Sequence, residues 1–150
     1  MPAYRARMAL SDDDVAFLAA NRSAAMVTVG DDGWAKAVRV GVAMVDGKLW
    51  SSGTRDRART ARLRRDPRCT LFVFQSPGFG ALTIEATVTI LDGPDAPDLS
   101  LRLFRVMQGS AEGPLDWFGR SVDEDEFLQV MRDEGRVVYE FAPGRAYGLH

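Results

Sequence analysis

Trp34-Ala-Lys-Ala-Val-Arg-Val-Gly-Val-Ala-Met-Val-Asp-Gly-Lys-Leu-Trp-Ser-Ser-Gly-Thr54 is the stretch on which the fold turns. From Trp34 to Val45 the residues alternate with the two-residue period of a β-strand. Val38, Val40, Val42 and Met44 share one face, and Ala35, Ala37, Arg39, Gly41 and Ala43 share the other. Asp46-Gly47 tolerates the positive φ angles of a tight hairpin, so Lys48 to Ser52 returns antiparallel. Upstream, Ala25 to Val29 reaches the same strand through Asp31-Asp32-Gly33, a second hairpin. Apart from Arg39, the second face of the central strand carries only small side chains. Such a face admits a flat ligand or the close packing of another strand or subunit.

Working outward, a short helix is expected after Thr54, ending before Pro67, because proline disfavours helix at the preceding residue. Cys69 to Gln75 reads as a strand. Gly80 to Leu91 alternates cleanly, with Leu82, Ile84, Ala86, Val88 and Ile90 against Thr83, Glu85, Thr87 and Thr89. Asp98 to Gln108 has a helical apolar stripe of Leu99, Leu103, Val106 and Met107, and Gly109 to Arg120 reads as a loop bearing Trp117 and Phe118. Ser121-Val-Asp-Glu124 has the spacing of a capping box opening a helix striped by Phe127, Val130 and Met131. Arg136 to Phe141 is the last expected strand. At the other end, Ser11 caps a helix with acidic residues at its positive end and Val15, Leu18 and Ala19 at helical spacing, ending near Asn21. Hairpin-linked antiparallel strands with helices set apart predict one α+β domain over residues 1–150, a barrel or sandwich rather than a doubly wound parallel sheet.

The residue inventory narrows the chemistry. Cys69 is the single cysteine, set in an apolar run and expected to be buried and inert, and His150 is the single histidine. A structural zinc site needs about four Cys or His ligands, and a hydrolytic triad needs a positioned imidazole, so neither a metal site nor a catalytic side chain is assigned. If the chain is an enzyme, a cofactor carries the hard chemistry. The opening residues Met1 to Leu10 show neither a secretory signal nor a membrane span, and the expectation is a cytoplasmic protein without a membrane partner.

The net charge of −2 hides an asymmetry: seven arginines lie between Arg55 and Arg68 against Asp56 and Asp66, which makes that segment +5. Its beginning, Leu49-Trp-Ser-Ser-Gly-Thr-Arg-Asp-Arg-Ala-Arg59, runs from a strand end through hydroxyl residues into a helix start. Cations at a helix N-terminus are unfavourable by a few tenths to about 1 kcal/mol each, and a bound anion reverses the sign. Arg55, Arg57 and Arg59 are therefore assigned to an anion, with Ser51, Ser52 and Thr54 as hydroxyl donors and Gly53 allowing close backbone approach. The plainer reading of any one arginine is solvated surface, because arginine outnumbers lysine 17 to 2 in the whole chain. Arg57 and Arg64 share a helical face through Ala61, Arg59 pairs with Leu63 and Arg62 lies elsewhere; no single stripe contains all seven, and Arg62, Arg64, Arg65 and Arg68 are left to solvent, a partner or acidic neighbours.

The succession of Ala25-Met-Val-Thr-Val29, Asp-Asp-Gly33, Ala37-Val-Arg-Val40, Asp46-Gly-Lys-Leu-Trp-Ser-Ser-Gly-Thr54, Arg57-Ala-Arg59 and Leu63-Arg-Arg-Asp-Pro-Arg68 resembles the split-barrel flavin and deazaflavin oxidoreductases related to pyridoxamine 5'-phosphate oxidase. The closer likeness is to the actinobacterial branch using the deazaflavin coenzyme F420, and it extends to Tyr139-Glu-Phe-Ala-Pro-Gly-Arg145. The resemblance implies a homodimer of six-stranded antiparallel split barrels with flanking helices and the cofactor in a groove between subunits. It implies that Ser51, Ser52, Thr54, Arg57 and Arg59 hold the cofactor phosphate, that Arg39 lies along the ring system, and that Gln75 reaches the ring edge. The implied activity is hydride transfer between F420 and a small organic substrate, walled by Trp34, Trp117 or Phe118 if these are not packing residues. FMN on the same fold is the alternative cofactor, and a non-catalytic binding module is the alternative class. Nucleic acid is disfavoured as a partner, because no aromatic residue interleaves with the cations from Ser51 to Leu71.

Overall fold

A computed structural model describes residues 8–150; the reading of the first residues as free of a secretory signal falls largely on residues 1–7, outside those described. The chain runs α1 (Asp12–Ala20), β1 (Ser23–Val29), β2 (Ala35–Val45), β3 (Lys48–Thr54), α2 (Ala58–Arg65), β4 (Arg68–Phe74), β5 (Ala81–Leu91), α3 (Ala96–Gln108), β6 (Leu115–Trp117), β7 (Arg120–Val122), α4 (Glu124–Asp133) and β8 (Arg136–Leu149). Six strands close into an antiparallel barrel in the order β1-β2-β3-β8-β5-β4, and β6 and β7 form a separate hairpin. The fold is thus α+β, a closed six-stranded barrel with four flanking helices.

The hairpins follow from local chemistry. Val45 pairs with Lys48 across Asp46 and Gly47, at φ 49° and 78°, the doubly positive turn whose twist matches the flanking strands. The strand period then sorts the core. Val40, Val42, Leu71, Val73, Leu82, Ile84 and Val88 point into the barrel, each worth about 1.5–3 kcal/mol of burial. Ala35, Ala37, Arg39 and Gly41 point outward and are exposed, as the alternation of β2 predicts. Ala43, on the same face, is covered by α3, which packs Leu103 against Ala43, Val45, Trp50 and Val138. A third cluster of Leu115, Trp117, Val122, Phe127 and Met131 joins the β6–β7 hairpin to α4.

Four expectations are corrected. The segment read as a loop from Gly109 to Arg120 contains β6, which turns into β7 at Phe118 and Gly119, both at positive φ (50° and 82°). Ser121 is consequently a strand residue opposite Asp116, and α4 is capped by Asp123, whose Oδ1 accepts from the Glu126 amide at 2.8 Å. The last strand does not stop at Phe141: β8 runs to Leu149 along β5, with the register shifting so that Glu85 faces Arg145 and Ala86 faces Pro143. Gly144 is the extra residue of that bulge, where a missing proline N–H is tolerated. In α1 the buried residues are Asp14, Phe17 and Leu18 rather than a Val15 stripe, since Asp14 closes a capping box with Ser11 and meets the His150 ring at 2.8 Å. Among the described residues no helix is long and apolar enough to cross a membrane.

Candidate functional site

Strand β3 delivers the chain to α2 through Arg55 and Asp56, and β8 begins beside it, with Arg136 paired to Thr54 and Val138 to Ser52. The Arg55 amide donates to the Gly135 carbonyl at 3.0 Å, tying this junction to the start of β8. Helix α2 opens at Arg57 with no side-chain cap and no acidic residue in its first turn, leaving its positive end uncompensated. Three guanidiniums meet here. Arg59 is nine-tenths buried, donates from Nη2 to the Ser52 carbonyl at 3.3 Å, and lies over the Tyr139 ring at 5.8 Å. Its Nε is buried with no hydrogen-bond partner. Arg136, also nine-tenths buried, turns Nη1 toward Ser52 Oγ at 3.4 Å and lies over the Trp117 ring at 5.1 Å. Its other edge is held by Glu134, whose Oε1 accepts from Nε at 3.0 Å and from Nη2 at 2.8 Å, while Oε2 accepts from Trp117 Nε1 at 3.2 Å. Burial, and then the charges of Arg59 and Arg136, depress the proton affinity of the Arg57 guanidinium below its ordinary value.

Buried donors are almost always satisfied, so an orphaned Nε inside a group of like charges needs an explanation. An anion seated among Arg57, Arg59 and Arg136 supplies one. It would accept charge-assisted hydrogen bonds, offset the mutual repulsion and complement the α2 N-terminus. The Cys69 thiol is pushed up to about 12 by burial, and no group of three His, Cys, Asp or Glu residues among those described is arranged to hold a metal.

Of the residues picked from sequence, Ser52, Arg57 and Arg59 converge here. Ser51 is buried and its hydroxyl donates to the Gly41 carbonyl at 2.6 Å, tying β3 to β2. Thr54 Oγ1 donates to Asp56 at 2.7 Å, and its carbonyl accepts from Thr60 Oγ1 at 2.7 Å. Gly53 serves packing rather than a ligand's approach: a Cβ there would lie 2.2 Å from Tyr139 ring atoms. Arg55 turns to Asp92, which also accepts from Arg64 at 2.7 Å. Arg62 donates to Thr28 at 2.9 Å, and Arg65 and Arg68 pair with Asp31 and Asp66, at 2.7 and 2.8 Å. Arg39 lies on the exposed outer face and donates to Ser23 Oγ at 3.2 Å; Gln75 Oε1 accepts the Gly80 amide at 3.3 Å, closing the β4–β5 loop. Trp117 is packed against Phe104 and Phe127, whereas Trp34 and Phe118 are exposed. The residues missed from sequence are Arg136, Glu134 and Tyr139, whose only signal was a cation at the expected start of the last strand.

A closed six-stranded antiparallel barrel with flanking helices is the fold of the split-barrel, flavin-binding class of proteins. The chain belongs to the pyridoxamine 5'-phosphate oxidase family, whose model matches residues 10–150. Solved structures share the fold at low identity. A conserved hypothetical protein from Mycobacterium tuberculosis superposes with a TM-score of 0.72 at 20% identity, covering 98% of this chain and 89% of that one. A protein described as an F420 reductase gives 0.66 at 15% identity, covering 91% and 98%. An FAD-binding protein from Mesorhizobium loti gives 0.61 at 18% identity, covering 97% and 96%.

Proposed function

We propose that this chain is an F420-dependent oxidoreductase that transfers a hydride between the deazaflavin coenzyme and a small organic substrate. The observation that carries the reading is the orphaned Nε of buried Arg59 beside Arg57 and Arg136, a site that fits a cofactor's phosphate. When bound, the deazaflavin supplies two-electron hydride chemistry, and the protein supplies binding and orientation. Arg57 and Arg59 hold the phosphate, with the Ser52 hydroxyl beside them. The outward face of β2, small except for Arg39, gives a planar ring system a surface to lie along, and its exposure supports a second copy of the chain closing over it as a homodimer. The F420 reductase among the structural neighbours supports this cofactor. Neither a membrane nor a nucleic acid is required, and a cytoplasmic location suits the reading. FMN on the same site is the second reading, favoured by the family itself.

Protein purified from a host that lacks F420, then titrated with both cofactors, separates the two. F420 is expected to bind and to support hydride transfer to one of a panel of quinones, tetrapyrroles and enones. A tightly held yellow flavin after purification would overturn F420 in favour of FMN.

A further inference from the structure

Phe118 holds a position that its own chain gives it no reason to occupy. It stands at the tip of the β6–β7 hairpin with φ 50°, in the left-handed region where a Cβ crowds the backbone, while Gly119 beside it takes φ 82° without that clash. Asn, Asp and Gly are the residues that such a turn favours. Burial does not offset the strain, because the side chain is 84% exposed. Its ring meets Trp117 at 5.1 Å, with the two planes 86° apart. The hairpin is held without it: Leu115, Trp117 and Val122 pack on Phe127 and Met131, and Trp117 Nε1 donates to Glu134. A strained residue on a rigid support, with its apolar ring in solvent, points to recognition of something from outside the fold.

The same indole locates that recognition. The Arg136 guanidinium and the Phe118 ring each lie 5.1 Å from the Trp117 ring, so they are within about 10 Å of one another. Trp34 and Phe79 are exposed as well, but among the described residues no ring contact ties either of them to the cations. A phenyl ring has no hydrogen-bonding handle; it selects by flat apolar area and by stacking. We infer that Phe118 is a specificity-determining residue, favouring flat, conjugated substrates over puckered or aliphatic ones. This inference rests on the proposed oxidoreductase function and names the class of substrate that its site takes.

Phe118→Gly removes the ring and suits the turn, whereas Phe118→Tyr keeps the ring. With F420 as hydride carrier, Phe118→Gly should raise the ratio of KM for naphthoquinone to KM for cyclohexenone by about 2- to 12-fold, the range of an aromatic pair, and Phe118→Tyr should restore the wild-type ratio. The ligand-free melting temperature of Phe118→Gly should rise or stay within about 2 °C of wild type, because relief of the strained φ offsets the lost Trp117 contact. A larger fall would make Phe118 a packing residue of the hairpin and overturns the inference. An unchanged KM ratio also overturns it, as does sedimentation of Phe118→Gly as a smaller species, which assigns the ring to a contact between copies. Failure of the proposed function shows separately, as wild type that binds neither F420 nor FMN. Where wild type reduces neither compound, the ring selectivity is read directly from the NMR signal of labelled Phe118, identified by its loss in Phe118→Gly. A saturable shift with naphthoquinone alone upholds the inference, and a shift with both compounds or with neither overturns it.

Discussion

Replacing Arg59 by methionine separates the two things that this buried guanidinium could be doing. Met retains an unbranched apolar stem for the contact with Tyr139 and removes both the charge and the orphaned Nε. In ligand-free protein the variant loses a long hydrogen bond to the Ser52 carbonyl, worth about 1 kcal/mol, and a cation–π contact worth about 0.5–1 kcal/mol. It gains the relief of an unsatisfied buried donor, about 1–3 kcal/mol, and of repulsion by Arg57 and Arg136. The opposing contributions nearly cancel, so the melting temperature should move by less than about 4 °C. Ligand stabilisation behaves differently. At a concentration ~100 times Kd, bound cofactor adds about 2.7 kcal/mol to the wild type; a ~100-fold loss of affinity cuts this to about 0.4 kcal/mol at the same concentration. Thermal melts with and without F420 or FMN read both numbers. A ligand-free variant melting roughly 8 °C or more below wild type would show Arg59 to be a satisfied structural cation, since breaking a matched buried pair costs about 3–5 kcal/mol. An unchanged ligand-induced shift would put the anion elsewhere.

Arg57→Ala should weaken cofactor binding by about 10- to 150-fold, the scale of a hydrogen bond to a charged group, while Arg55→Ala changes it less than about twofold, because Arg55 is engaged by Asp92; calorimetry giving equal losses would refute this division. Gly53→Ala puts a Cβ 2.2 Å from Tyr139, so the urea midpoint should fall by an amount equivalent to at least ~1–3 kcal/mol, and an unchanged midpoint would remove the packing role. Asp66 is held down to about 2 by its hydrogen bonds and charge pairing with Arg68. Because its folded value lies below the unfolded one, its contribution to stability is present above about pH 4 and is lost as the pH falls toward 2. An NMR titration should place its midpoint near 2, returning toward 3.8 in Arg68→Ala, and a wild-type midpoint of 3.8 would refute the pairing. Cys69, with its thiol pushed up to about 12, should resist alkylation in native protein at pH 8 and react only on unfolding.

The barrel was legible wherever local chemistry and global pairing agree. The alternation of β2 and β5 and the Asp46-Gly47 turn carry their own geometry, so neither needs a distant partner to be recognised. Reading failed where tertiary context overrides a local rule. Phe118-Gly119 makes the same doubly positive turn as Asp46-Gly47, but a phenylalanine pays a steric penalty at φ 50° that no composition rule anticipates. Its hairpin is held instead by Trp117 packing on Phe104 and Phe127. Pro143-Gly144 reads as a strand breaker, yet at a bulge the absent N–H and the extra residue are what let β8 bend along β5.

The candidate site divides along the same line. Ser52, Arg57 and Arg59 are contiguous in sequence and could be gathered from a strand end running into a helix start. Arg136 joins them only through the register that sets it against Thr54, and Glu134 only because the turn into β8 places it next to Arg136. Charge counting along the chain is blind to both pairings. It groups Arg55 with the anion, whereas the fold pairs it with Asp92, which Arg64 shares, and it passes over Arg136 because that arginine stands apart from the basic segment. Five arginines of the +5 segment, Arg55, Arg62, Arg64, Arg65 and Arg68, have partners of their own in Thr28, Asp31, Asp66 and Asp92. What distinguishes the two that converge on the site is the absence of any such ordinary partner for one buried nitrogen. The relevant signal is therefore unsatisfied charge, which only the folded chain exposes.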